Sequence, residues 1–188
     1  MVNINQPLSK KISLKPLISG VCEFLYKKIE ASEHERGDIS ARFCLVELEQ
    51  FFVQITINKT AQSNWFALSG LLEAKVTQKC VVTLEPVQKN INHSFELFLA
   101  KENISPKKIP EDQDFEFYYD DAVDIGEISA IELGLALDPY PRKPGVDLSS
   151  IDANLKGIQV FNEQEFELLK KNNIQKPFSV LAELQRKE

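Results

Sequence analysis

The chain has too few cysteines, and in the wrong number, for a disulfide framework. Cys22, Cys44 and Cys80 are odd in number and far apart, as free thiols of a reducing compartment are. None belongs to a C-x-x-C, and with His34 and His93 as the two histidines no sequence-local zinc site can be drawn. Seven Gly and nine Pro are too few for a collagen-like or linker-dominated chain. No apolar run has the length of a membrane helix or a signal-peptide core, and mean hydropathy is −0.22; a soluble protein is expected. Enzyme signatures are missing as well: there is no G-x-S-x-G, Walker loop, G-x-G-x-x-G, H-E-x-x-H or zinc-deaminase pattern. Neither an RRM aromatic motif, a KH loop nor a zinc knuckle is present.

What the chain does hold is material for a core. Twelve Phe, four Tyr and one Trp among 188 residues, 43 % of them hydrophobic, exclude wholesale disorder, and the length suits one domain, or one domain with a tail, better than two. The net charge of −6 is unevenly spread. From Glu102 to Asp138 there are eleven acids against two Lys, a balance of −9, while the remainder carries 20 Lys/Arg against 17 acids, or +3. An acidic run repels phosphate, so any RNA contact belongs to the remainder. The run itself reads as a solvated loop or as a surface for a basic partner.

Periodicity outlines the elements. Ser32 with Glu35 reads as a capping box, opening a helix near 33–44 with Ile39 and Phe43 on one face. His34 falls in its exposed first turn. Phe51–Ile57 alternates as a strand. Trp65–Leu72 is apolar on both faces, a central strand or a bulge at Gly70. Lys75–Leu84 and Ile91–Leu99 alternate too, the first with Val76, Cys80, Val82 and Leu84 inward, the second with His93 inward. Short links favour an antiparallel meander.

Lys101–Asp112 reads as a loop and Phe115–Tyr119 as an edge strand guarded by acids. Asp124 and Glu127 open a second helix with Ile128, Ile131 and Leu135 in line, stopped by Asp138-Pro139. Tyr140–Gly145 is too proline-rich for a helix and reads as a stiff extended segment. Residues 146–160 read as a polar linker, followed by short helices near 163–173 and from Pro177. The expected fold is α+β, an antiparallel meander, open or barrel-like, packed by two or three helices. The expected organisation is an α+β domain over 1–145, with the linker and helices of 146–188 part of it or docked on it.

Few residues suggest chemistry. Cys80 and His93 lie on predicted inward faces, where a thiol packs as a small hydrophobe and an imidazole as a hydrogen-bonded core residue. We therefore expect both to be structural, with no catalytic residue and no metal site. Glu111, Asp112, Asp114, Asp120 and Asp121 form the acidic surface, and their spacing is not that of a calcium loop.

Several segments then occur in a telling order: Glu35-Arg36 with Ala41-Arg42-Phe43; Gln78–Pro86, spelled QKCVVTLEP; Asp124–Glu127; Leu135–Gly145, spelled LALDPYPRKPG; and Lys176–Leu181. Together they resemble the YceD family, the large ribosomal RNA subunit accumulation proteins, with the DPYPR-x-PG spelling similar to its alphaproteobacterial branch. The resemblance implies a bacterial, cytoplasmic, non-enzymatic factor with no cofactor, needed for normal levels of large-subunit (23S) ribosomal RNA. Its partner would be precursor large-subunit RNA or the assembling particle. Many relatives carry a second Cys shortly before the position of Cys80; here Gln78 and Lys79 stand in that stretch, so no zinc or redox role carries over.

Arg36, Arg42, Tyr140, Arg142 and Lys143 are not demanded by folding and become the candidate RNA or ribosome contacts. Guanidinium groups suit phosphate, and a Tyr beside them can stack on a base. The alternative is an adaptor that turns its acidic 102–138 segment on a basic ribosomal protein and touches no RNA.

Overall fold

The computed structural model describes residues 8–62, 64–102, 114–146 and 163–172. The chain divides into two units, Met1–Lys143 and Pro144–Glu188. In the first, the order is β1 (Lys11–Ser13), α1 (Lys15–Ile18), β2 (Phe24–Glu30), α2 (Glu33–Arg42), β3 (Glu47–Lys59), β4 (Trp65–Lys79), β5 (Pro86–Lys101), β6 (Phe115–Tyr118), β7 (Ala122–Asp124) and α3 (Ile125–Ala136). The second contributes α4 (Glu163–Asn172), at the position expected for a short helix.

A five-stranded sheet runs β2-β3-β4-β5-β6, and β1 pairs with β7 in a separate ribbon. The pairs from β2 to β5 are antiparallel, while β6 joins β5 in parallel. The fold is thus the expected α+β class. The sheet is open rather than a closed barrel, and mixed at one edge rather than wholly antiparallel.

One sheet face carries the core. In β3 the odd positions Phe51, Val53, Ile55 and Ile57 are buried, as their alternation requires, each side chain contributing about 1.5–3 kcal/mol by leaving water. Leu68, Leu72 and Val76 of β4 continue this layer, with Phe95, Leu97 and Leu99 of β5. Helix α2 is closed by the reciprocal capping box: the Ser32 hydroxyl accepts from the Glu35 N–H, and the Glu35 carboxylate accepts from the Ser32 N–H at 2.9 Å. Lys10 adds an ion pair at 2.6 Å, which together with these bonds holds the Glu35 carboxyl down at about 2. Helix α3 starts at Asp124, whose carboxylate accepts from the Gly126 and Glu127 N–H groups. Burial alone would raise this carboxyl, but those bonds, with Ser9 and the Lys10 N–H, outweigh it and lower it.

Several expectations need correction. The two strands read as 65–72 and 75–84 are one strand, β4. It ends at Lys79, because the Cys80 N–H donates to the Glu85 carbonyl and the Leu84 N–H to that of Cys80. Leu84 therefore sits in the turn at φ 61 and 72 % exposed, instead of facing inward. Gly70 lies in continuous register opposite Ile55, with the Phe95 ring against it; the irregularity comes instead between Leu48 and Gln50.

In α3 the buried stripe is Ile125, Ile128, Ser129 and Leu133, while Ile131 and Leu135 face outward. The helix is apolar nearly all round, so periodicity alone did not single out its inner face. The elements of residues 11–30 were not anticipated, although Leu14 and Leu17 are fully buried. The readings of 147–160, and of a helix from Pro177, lie outside the described residues.

Candidate functional site

The two most distinctive sequence segments meet at one end of the sheet, through residues 78–86 of the one and 138–143 of the other. The Gln78 amide donates to the Asp138 carbonyl at 3.0 Å. Two residues past the strand, the Val81 N–H donates to the Pro141 carbonyl at 2.9 Å. The Lys143 ammonium meets Glu85 at 2.6 Å, raising the lysine and lowering the carboxyl. Lys89 faces Asp138 at 3.8 Å. A proline-rich segment has few N–H groups to offer, so its carbonyls do the accepting.

Cys80 sits beneath this junction. The main-chain N–H groups of Thr83 and Lys143 donate to its sulfur at 3.4 and 3.5 Å. Its side chain is sealed from solvent yet shallow. Its thiol is consequently lowered to about 6, chiefly by the Thr83 hydroxyl and then by the N–H groups of Thr83, Lys143 and Val82, all favouring the thiolate over the small opposing effect of burial. The inward placement expected for Cys80 holds, in a turn rather than a strand. His93, half-buried on β5, bonds Glu132 of α3 at 3.0 Å, tying helix to sheet.

The candidate contact residues do not form one patch. Arg36 is occupied: its guanidinium donates to the Leu48 carbonyl at 3.1 Å and the Ala31 carbonyl at 2.7 Å, fastening α2 to β3 and to the end of β2. Arg42 grips the Glu127 carboxylate through two nitrogens, at 2.9 and 2.8 Å, which raises its own ionisation further. Contrary to the expectation that neither is demanded by folding, both are structural clamps. Lys143 is committed to Glu85. Tyr140, 71 % exposed, and Arg142, exposed and without an ion pair among the described residues, remain open.

The acidic residues also separate. Asp120 and Asp121 form the β6–β7 turn at φ 51 and 53, a left-handed pair that suits a tight hairpin turn. Asp121 pairs with Lys101 at 3.1 Å. The Asp114 carbonyl accepts from Phe98 while its side chain is exposed. Glu111 and Asp112 lie outside the described residues. Between β6, β7 and α3 lies a groove of about 410 Å³, lined by Glu116, Phe117, Asp120, Val123, Ile128 and Ile131 among others. Three separate elements build it, so no local motif announced it.

The family model described as "Large ribosomal RNA subunit accumulation protein YceD" matches residues 68–185, a span that includes both docked segments. The chain belongs to the YceD family. Arg36 and Arg42 fall outside that span. No curated protein and no solved structure matches the chain.

Proposed function

We propose that the protein is a non-catalytic bacterial factor, working in the cytoplasm, that promotes synthesis, processing or accumulation of large-subunit ribosomal RNA. We further propose that it meets the precursor particle with its motif-bearing end. Membership of the YceD family over residues 68–185 is the observation that carries this reading. Tyr140 and Arg142 support the second part: the two segments dock through main-chain groups of Asp138, Pro141 and Lys143, leaving these two side chains to solvent. A guanidinium there suits phosphate and the ring suits stacking. The non-catalytic reading is supported by the separation of the two reactive side chains: Cys80 lies past the end of β4 at Lys79, while His93 sits opposite Leu72, far along the same strand pair.

Chromosomal replacement by Tyr140→Ala with Arg142→Glu tests it. The 23S-to-16S ratio and co-sedimentation with precursor large-subunit particles should both fall, with the melting temperature unchanged. Retained co-sedimentation would overturn the contact; a normal RNA ratio after deletion of the whole gene would overturn the role. The adaptor reading, with acids set against a basic ribosomal protein and no RNA contact, is favoured by one specific observation, the acid-rimmed groove at β6.

A further inference from the structure

The five-stranded sheet ends at β6, and half of that strand's main chain is turned away from its neighbour. The Asp114 carbonyl accepts from Phe98 and the Tyr118 carbonyl from Glu102. In a parallel ladder such bonds use alternate residues. The N–H and C=O groups of Phe115 and Phe117 therefore face an edge that no other strand pairs among the described residues. Strand β7 does not take them, since after the Asp120-Asp121 turn it leaves to pair with β1.

The 410 Å³ groove runs along this edge. Its lining is mainly apolar, with Phe117 half-buried, Val123 and Ile128 buried and Ile131 39 % exposed. Four carboxylates border it against one cation, Lys11. Two of the four are committed, Asp124 to the cap of α3 and Glu127 to Arg42. The other two, Glu116 and Asp120, form no ion pair among the described residues. An open strand edge takes another extended chain. The apolar walls take side chains from one face of it, and the acids repel phosphate while favouring Lys and Arg.

We propose that this groove docks an extended, basic segment of a partner protein, its apolar side chains over Phe117, Val123 and Ile131 and its cations against Glu116 and Asp120. The proposal deepens the adaptor reading and rests on it only for the partner's being ribosomal; the groove's preference is tested without any particle.

The purified full-length protein is titrated with a fluorescein-labelled peptide of about eight residues, strand length, alternating Lys and Val. A Glu–Val peptide of the same length and an oligouridylate serve as contrasting probes. The Lys–Val peptide should bind and shift the amide resonances of Phe115, Phe117 and Ile131; the other two probes should not. Glu116→Lys with Ile131→Lys should weaken binding about tenfold or more, a loss of about 1.4 kcal/mol at least, with the melting temperature kept. Glu73→Lys, on an exposed position of β4, should leave it unchanged.

Failure of the Lys–Val peptide to bind, shifts confined to another surface, an equal loss with Glu73→Lys, or oligouridylate shifting the groove resonances would each overturn the proposal. A normal 23S-to-16S ratio after gene deletion would instead overturn the ribosomal reading and leave the groove standing.

Discussion

The main-chain N–H of Lys143 donates to the sulfur of Cys80 at 3.5 Å, across 63 residues of chain. A single thiol thus holds the backbone of one family segment against the turn of the other. Its role is that of an acceptor, which explains why the position suits a group readily made anionic. The same bond makes the junction sensitive to pH.

Cys80 has its native thiol lowered from 9.0 to about 6, so the unfolded chain binds the proton more tightly. The stabilisation is therefore present above the unfolded value and is lost as pH falls through about 6. The melting temperature of the wild type should rise from pH 6 toward pH 9 relative to Cys80→Ser, which has no titrating thiol there. Parallel pH profiles for the two proteins would refute this. Because the sulfur is sealed, a thiol reagent should label exposed Cys44 rapidly, and Cys80 only after unfolding.

Arg36 should matter for stability rather than for RNA. Arg36→Ala removes two charge-assisted bonds to main-chain carbonyls and leaves both acceptors at a partly buried seam. A cost of about 2 kcal/mol in urea denaturation is expected, with particle co-sedimentation of the remaining folded protein unaltered. An exposed phosphate ligand would show the reverse, with unchanged stability and lost association.

Gly126 is held by close packing. A Cβ there would lie 2.4 Å from the Leu8 carbonyl oxygen and 2.8 Å from the Lys10 nitrogen, main-chain atoms that cannot swing aside. Gly126→Ala should cost about 2 kcal/mol or more by forcing the 8–10 segment off the start of α3. At Gly37, where an added Cβ meets nothing within 4 Å, the same substitution should be stabilising, since Ala is the better helix former. Thermal melts of the two variants, shifting in opposite directions, check the pair.

Sequence alone determined the elements whose signals are local. The capping box at Ser32 and Glu35, the cap at Asp124 and the inward row Phe51, Val53, Ile55 and Ile57 each depend on residues a few positions apart, so spacing suffices to read them. The spelling of 78–86 and 138–145 likewise carried the family. The tertiary structure decided what depends on contacts distant in sequence. Only the folded chain shows which face of apolar α3 turns inward, and that β4 is one strand stopped at Cys80. It alone reveals that Arg36 and Arg42 are spent on carbonyls and on Glu127. The groove at β6 is the clearest case: its walls come from β6, β7 and α3, and its edge is left unpaired among the described residues because β7 pairs with β1. A guanidinium reads the same in the sequence whether it meets solvent or a carbonyl twelve residues away, and only packing brings that partner within reach.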